Sequence, residues 1–178
     1  PDTFAEKMRE IAEMGVAVIG GCCGTTPTHL HAMIKRCRDI ILKSTVKKED
    51  TIVSSHGQSV IFKEGSKIIG ERINPTGKKQ FKQALREHDI DYILKEAIIQ
   101  EEKGAHILDV NVGLPDIDEA ELMAETIMGL QSVTNLPLQI DTVDAETMER
   151  ALRIYNGKAM VNSVSGKQES MDMVFPLI

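Results

Sequence analysis

Acids and amides recur at one kind of position in the second half of this 178-residue sequence. Glu71, then Asp109 with Asn111, then Asp141, then Asn162 each close a short apolar run. If those runs are parallel strands, the polar residues stand in a ring at the strands' carboxyl ends, where β/α barrels carry their active sites. Carboxylates accept paired hydrogen bonds from an amidine-like edge, and an amide donates and accepts together. Such a ring suits a ligand rich in N–H donors and carbonyl acceptors, for instance a fused heterocycle. The competing reading is that each residue only caps a helix or finishes a loop. A divalent cation at the carboxylates is less favoured, because no His joins them at ligand-like spacing.

A second candidate lies near the start. Cys22 and Cys23 sit in Gly20-Gly21-Cys22-Cys23-Gly24. Two thiolates there suit a soft metal, zinc first at neutral pH. The alternative is that small residues fill a turn where bulk does not fit. Cys37 falls on the apolar stripe of a helix and reads as core, and His29 and His31 read as ordinary surface-helix residues. Lys78, Lys79 and Lys82 suit either an anionic partner or a solvated helix face.

The elements that position these residues follow from periodicity. Thr3 with Glu6 has capping-box spacing, and Phe4, Met8, Ile11 and Ala12 repeat helically up to Gly15. The run Val16-Ala17-Val18-Ile19 predicts a buried strand. Thr26 and Pro27 open a helix whose apolar face is Leu30, Met33, Ile34, Cys37 and Ile41. From about Arg38 to Lys67 the pattern dissolves into a connector that includes charged Lys47, Lys48, Glu49 and Asp50, with a short strand at Ser59 to Phe62.

Beyond it, strands at 67–71, 106–110, 138–141 and 159–162 alternate with helical stripes. One stripe is Ile90, Ile93, Leu94, Ala97 and Ile98; the next is Ala120, Met123, Ala124 and Ile127. The last is Met148, Ala151, Leu152 and Tyr155, capped by Asp144. That alternation is the signature of parallel βα units, in either a doubly wound sheet or part of a (β/α)8 barrel. No G-x-G-x-x-G motif supports dinucleotide binding. The start at Pro1 and the apolar end at Val174 to Ile178 suggest a piece of something longer.

Composition narrows the function. With 42% hydrophobic and 27% charged residues the sequence is ordinary globular material. A net charge of −6, no Trp and 3% aromatic residues argue against nucleic-acid binding. No apolar run suits a membrane span and no signal peptide opens the chain. Three cysteines are too few for a secreted disulfide framework and fit a cytoplasmic location.

Two stretches also resemble known families. Gly20 to Pro27 (GGCCGTTP) resembles the closing motif of homocysteine S-methyltransferase barrels, in which the paired cysteines hold a catalytic zinc together with a third thiolate from an earlier strand. Gly70-Glu71-Arg72-Ile73-Asn74-Pro75-Thr76-Gly77 resembles the opening of pterin-binding methyltransferase domains. Leu108 to Asn111, Gln139 to Thr142 and Val161 to Ser163 are similar to the strands that follow it.

The order of the two motifs is that of the cobalamin-dependent methionine synthase family. The resemblance implies α/β architecture, with parts of two (β/α)8 TIM barrels joined by a linker. Residues 1–43 would end a zinc barrel, 44–66 would link, and 67–178 would begin a pterin barrel about half present. It implies methyl transfer from 5-methyltetrahydrofolate via cobalamin to homocysteine, with the cobalamin domain of a parent protein as partner. Glu71, Asn74, Asp109, Asn111, Asp141 and Asn162 would line the pterin site, Asn162 with the catalytic part near the folate nitrogen. Cys22 and Cys23 would hold zinc, and the 178 residues alone would turn over nothing.

Three other functions compete: a pterin methyltransferase serving a corrinoid iron–sulfur protein, a dihydropteroate synthase, and a non-catalytic connector module. The upstream cysteine motif counts against the first two.

Overall fold

The computed structural model describes residues 1–41, 49–63 and 65–178, which form two compact units, Pro1–Glu49 and Asp50–Ile178. The expected boundary at 43/44 and the charged Lys47 and Lys48 lie outside the described residues.

The first unit is a pair of helices, α1 (Asp2–Glu13) and α2 (Pro27–Cys37). Ala5, Ala12 and Met33 are its buried residues. Phe4 meets the His29 ring edge-on at 5.7 Å, and Arg9 of α1 donates to the Asp39 carboxylate at 2.8 Å. Thr26 precedes Pro27 as expected. Thr3 does not cap, because α1 already starts at Asp2 and Ala5 N–H donates to Pro1 O at 2.9 Å.

The strand expected at Val16–Ile19 is absent. Residues 16–19 are irregular and Val18 is 88% exposed. A parallel strand exists only through its partners, and the described residues of this unit supply none. The helix also ends before Ile41, which is exposed.

The second unit opens with an antiparallel hairpin, β1 (Ile52–Ser54) with β2 (Ser59–Ile61). Ser55 builds its turn by accepting from the N–H groups of Gly57 and Gln58, both at 3.1 Å. Four parallel strands follow: β3 (Ile69–Ile73), β4 (Ile107–Val110), β5 (Leu138–Asp141) and β6 (Met160–Asn162). Their connections run through α3 (Lys79–Arg86), α4 (Ile90–Glu102), α5 (Glu119–Val133) and α6 (Ala145–Ile154). A short α7 (Gln168–Val174) and a 3-10 turn close the described chain.

Strand order equals chain order, with no reversal. A doubly wound sheet makes its ligand crevice at such a reversal, and the four described strands contain none.

Alternation along the strands sorts the side chains onto two faces. Leu108, Val110, Leu138 and Ile140 face the helices and join Ile93, Leu122, Met123, Ile127, Leu130 and Ala151 in one core. On the other face, Ile107 and Met160 pack against Val53 and Val60 of the hairpin. The hairpin therefore covers the amino-terminal end of the face whose carboxyl end carries the acids and amides.

Tyr155 fastens it there. Its Oη donates to Ser54 O at 3.0 Å and accepts from Leu138 N–H at 3.1 Å. Gly157 allows the approach, since a Cβ there would lie 2.2 Å from Ser54 O. A Tyr155→Phe variant loses both bonds and strands a buried N–H, costing about 1–3 kcal/mol. Faster amide exchange at residues 52–61 than in the parent protein would show it, and unchanged exchange would refute it.

Candidate functional site

Register decides which polar residues meet. Asp109 pairs with Gln139, and Gln139 with Met160; Asp141 pairs with Asn162. Each row crosses adjacent strands on the face away from the helices. The lower row is Asp109, Gln139 and Met160, and the upper row is Asn111, Asp141 and Asn162.

Hydrogen bonds join and brace the rows. Asn111 Nδ2 donates to Asp141 Oδ2 at 3.0 Å, while Asn111 Oδ1 accepts from Gly113 N–H at 3.0 Å. The Gln139 amide donates to Asp109 Oδ1, and the Asn162 side chain lies near enough to Asp109 to favour its ionised form.

Asp109 is 2% exposed. Burial raises its pKa above the usual carboxylate value, and the neighbouring Asp141 and Glu71 carboxylates push the same way. The amides of Gln139 and Asn162 oppose that shift. The result is a patch rich in acceptors, with two amides able to turn a donor or an oxygen toward a ligand. It suits a neutral or electropositive N–H edge and repels anions.

The six expected pterin residues are not equivalent. Asp109, Asn111, Asp141 and Asn162 come together, and exposed Glu71 acts on them only through its charge, as the smallest of the influences on Asp109. Asn74 is buried within its own turn, where Oδ1 accepts from Thr76 N–H at 2.9 Å. β3 itself runs two residues later than expected, with an irregular register between Gly70 and Ile73. Of the three lysines, Lys78 serves structure: its Nζ donates to the carbonyls of Glu71 at 3.1 Å and Arg72 at 3.0 Å.

Gln139 is the site residue that sequence reasoning missed. Its signal was present, because a polar residue between Leu138 and Ile140 must share a face with Asp141.

The loops after β4 and β5 are tied to each other. Buried Thr142 donates to Glu119 Oε1 at 2.5 Å and accepts from Asp144 N–H at 3.1 Å. Its own N–H donates to Asn162 O at 2.9 Å. Asp144 in turn caps α6, accepting from Thr147 N–H at 2.7 Å. A Thr142→Val variant keeps the shape and loses both hydroxyl bonds, so about 1–2 kcal/mol of stability should go. Denaturant unfolding beside the parent protein measures it; a midpoint equal to the parent's would exclude this bracing role.

In the first unit, Cys22 and Cys23 are free and exposed. They lie in a turn closed by Thr25 N–H donating to Cys22 O at 2.8 Å, with Gly24 at φ +82°. That backbone conformation favours glycine. No group of three His, Cys, Asp or Glu side chains gathers for a metal among the described residues. The thiol pair thus fits a soft metal in donor type but supplies only part of a tetrahedral set. His29 is engaged as a helix cap, its Nδ1 2.8 Å from Thr26 Oγ1.

Residues 70–176, well over half of the chain, match the family model described as pterin binding enzyme. The chain belongs to that family. Residues 1–37 match a second model, homocysteine S-methyltransferase.

The chain is 31% identical over 168 residues to methionine synthase of Mycobacterium tuberculosis (strain ATCC 25618 / H37Rv). It is 32% identical over 177 residues to methionine synthase of Mycobacterium leprae (strain TN). Both matches cover 93% of the chain and 14% of the relative, so the chain spans a small part of their length.

Among solved structures, a Xanthomonas albilineans dihydropteroate synthase, in complex with indole-2-carboxylic acid and 6-chloroguanine, superposes with a TM-score of 0.51. It is 21% identical, with 72% of this chain and 47% of that chain covered, and it supports the α/β fold.

Proposed function

We propose that this chain contributes the methyl-donor site of a methionine synthase-type methyltransferase. The carrying observation is the double row on one sheet face, Asp109 with Gln139 and Asn111 with Asp141 and Asn162, inside the pterin-binding match. 5-Methyltetrahydrofolate would bind by its pterin ring, the N–H edge on Asp109 and Asp141 and a ring oxygen or nitrogen on Asn162. The similar dihydropteroate synthase is described with 6-chloroguanine, a fused heterocycle. Asn162, near the folate nitrogen, would hold the group or water that delivers a proton as the methyl leaves. Glu71 and Asn74 would frame the pocket.

The order of the two family matches, homocysteine S-methyltransferase at 1–37 and pterin binding enzyme at 70–176, supports the two-barrel reading. Residues 1–43 would close one TM barrel and 67–178 would open the next, with 44–66 between them. The hairpin at 52–61 lies within that connector and packs on the second sheet. Homocysteine would be the methyl acceptor at the first barrel and cobalamin, bound elsewhere in the parent protein, the carrier. Cys22 and Cys23 would hold zinc with a ligand from outside the described residues. Zinc held there would supply Lewis acidity that keeps the homocysteine sulfur deprotonated at neutral pH. No helix among the described residues is long and apolar enough to cross a membrane, which accords with a cytoplasmic enzyme.

Calorimetry of 5-methyltetrahydrofolate with the complete parent protein, beside its Asp141→Asn/Asn162→Ala variant, tests the reading. Micromolar-range binding that the variant loses is the expected result. Absence of binding by the intact protein would overturn the reading and leave a connecting role.

A further inference from the structure

We propose that Gln139 is a positioning residue, holding Asp109 as a hydrogen-bond acceptor toward the pterin edge. The inference rests on the pterin-site reading above. Gln139 lies in the middle of β5, between buried Leu138 and Ile140, where packing alone calls for an apolar side chain. Its neighbours in and below the row are Met160 and Ile107, which offer no polar partner. Its amide instead donates to Asp109 Oδ1 across the strand pair. The bond fixes one carboxylate oxygen, so the rotation of Asp109 is set and its second oxygen has a defined direction.

The charge state of Asp109 depends on the same bond. Glu71 from β3 and Asp141 from β5 are the carboxylates that face it. β6 contributes the neutral amide of Asn162. The hairpin supplies only Val53 and Val60 on this face, and the helices cover the opposite face with apolar side chains. Burial and both carboxylates favour the protonated acid, and the two amides favour the carboxylate. Without Gln139 the balance moves toward the acid, whose proton would meet the pterin's own N–H.

The test compares Gln139→Met, which keeps the volume and removes the donor, with the parent protein. Both are measured for 5-methyltetrahydrofolate binding across pH. The expected result is near-parent binding at alkaline pH and an acidic limb moved to higher pH. On that limb the loss should reach about tenfold, as for one hydrogen bond to a charged group. Equal pH profiles, or uniform weakening at every pH, would overturn the proposal.

Thermal unfolding across pH gives a second readout that needs no ligand. Gln139→Met should lose stability at neutral pH and regain it as Asp109 protonates. The pH dependence of that difference should vanish in an Asp109→Asn background; its persistence there would overturn the coupling. Should Gln139→Met not fold, Gln139→Asn, whose shorter amide cannot reach, serves in the same series. Absence of ligand binding by the parent protein would sink the pterin reading alone, since the unfolding series still reports on Gln139 and Asp109.

Discussion

Replacing Asp109 by Asn is expected to stabilise the protein while abolishing pterin binding. Asp109 is almost fully buried and faces the carboxylates of Glu71 and Asp141. Its pKa in the fold is raised by burial first and by those carboxylates next. An acid whose folded pKa lies above its unfolded value of 3.8 binds protons more tightly in the native state. Its contribution to stability is therefore best below the unfolded pKa. It worsens as pH rises through the folded pKa, and the cost persists at neutral pH.

Asparagine removes that cost. Its Oδ1 still accepts from Gln139, and its amide can donate to Asp141 or Glu71 where a carboxylate was repelled. The expected gain at neutral pH is about 1 kcal/mol, shrinking toward zero in acid. Binding should fall about 100-fold or more, because a ligand N–H would meet another N–H, and mismatched buried polar groups discriminate by large factors. Unfolding curves at neutral and acid pH, with calorimetry on the same samples, check both halves. A variant less stable at neutral pH, or one that still binds, would show that Asp109 serves packing and not the ligand.

That trade between stability and binding bears on how much of the site was legible in the sequence. β4, β5 and β6 could be placed to within a residue because an apolar run ends in a polar residue in each. The local pattern there records both the buried body and the site-facing tip. Asp144 could be read as a cap because capping is a short-range contact, and it accepts from Thr147 three residues on.

What failed depends on partners far away in sequence. Val16–Ile19 reads as a strand by composition, yet composition cannot supply the neighbouring strand. β1 went unread although Ile52 and Val53 are good strand residues, because its worth lies in packing Val53 on Ile107. α3 was legible only as a solvated face around its lysines, and Phe81, Ala84 and Leu85, which carry the helical spacing and are buried, went unread. Gln139 illustrates the sharper limit. Face parity could place it beside Asp141, but only the register of β4 on β5 shows that its partner is Asp109.

In the first unit the largest expected effect falls on the cysteine pair. In the complete parent protein, Cys22→Ser and Cys23→Ser should each lose stoichiometric zinc. Homocysteine methylation should drop at least about 100-fold. Changes to groups that only hydrogen-bond a zinc ligand already cost about 10–100-fold, so a lost thiolate ligand costs no less. The two cysteines are adjacent, exposed and carried on a turn that Gly24 shapes, and neither is buried in a core. Serine at either position therefore disturbs little packing, and the loss would belong to ligation. Binding of 5-methyltetrahydrofolate should stay at the parent level, because its proposed residues lie in the other compact unit. Metal analysis and the two substrate assays on one preparation separate the outcomes. Full zinc content in both serine variants would assign the pair to the turn alone, and the metal would have to be held by other residues.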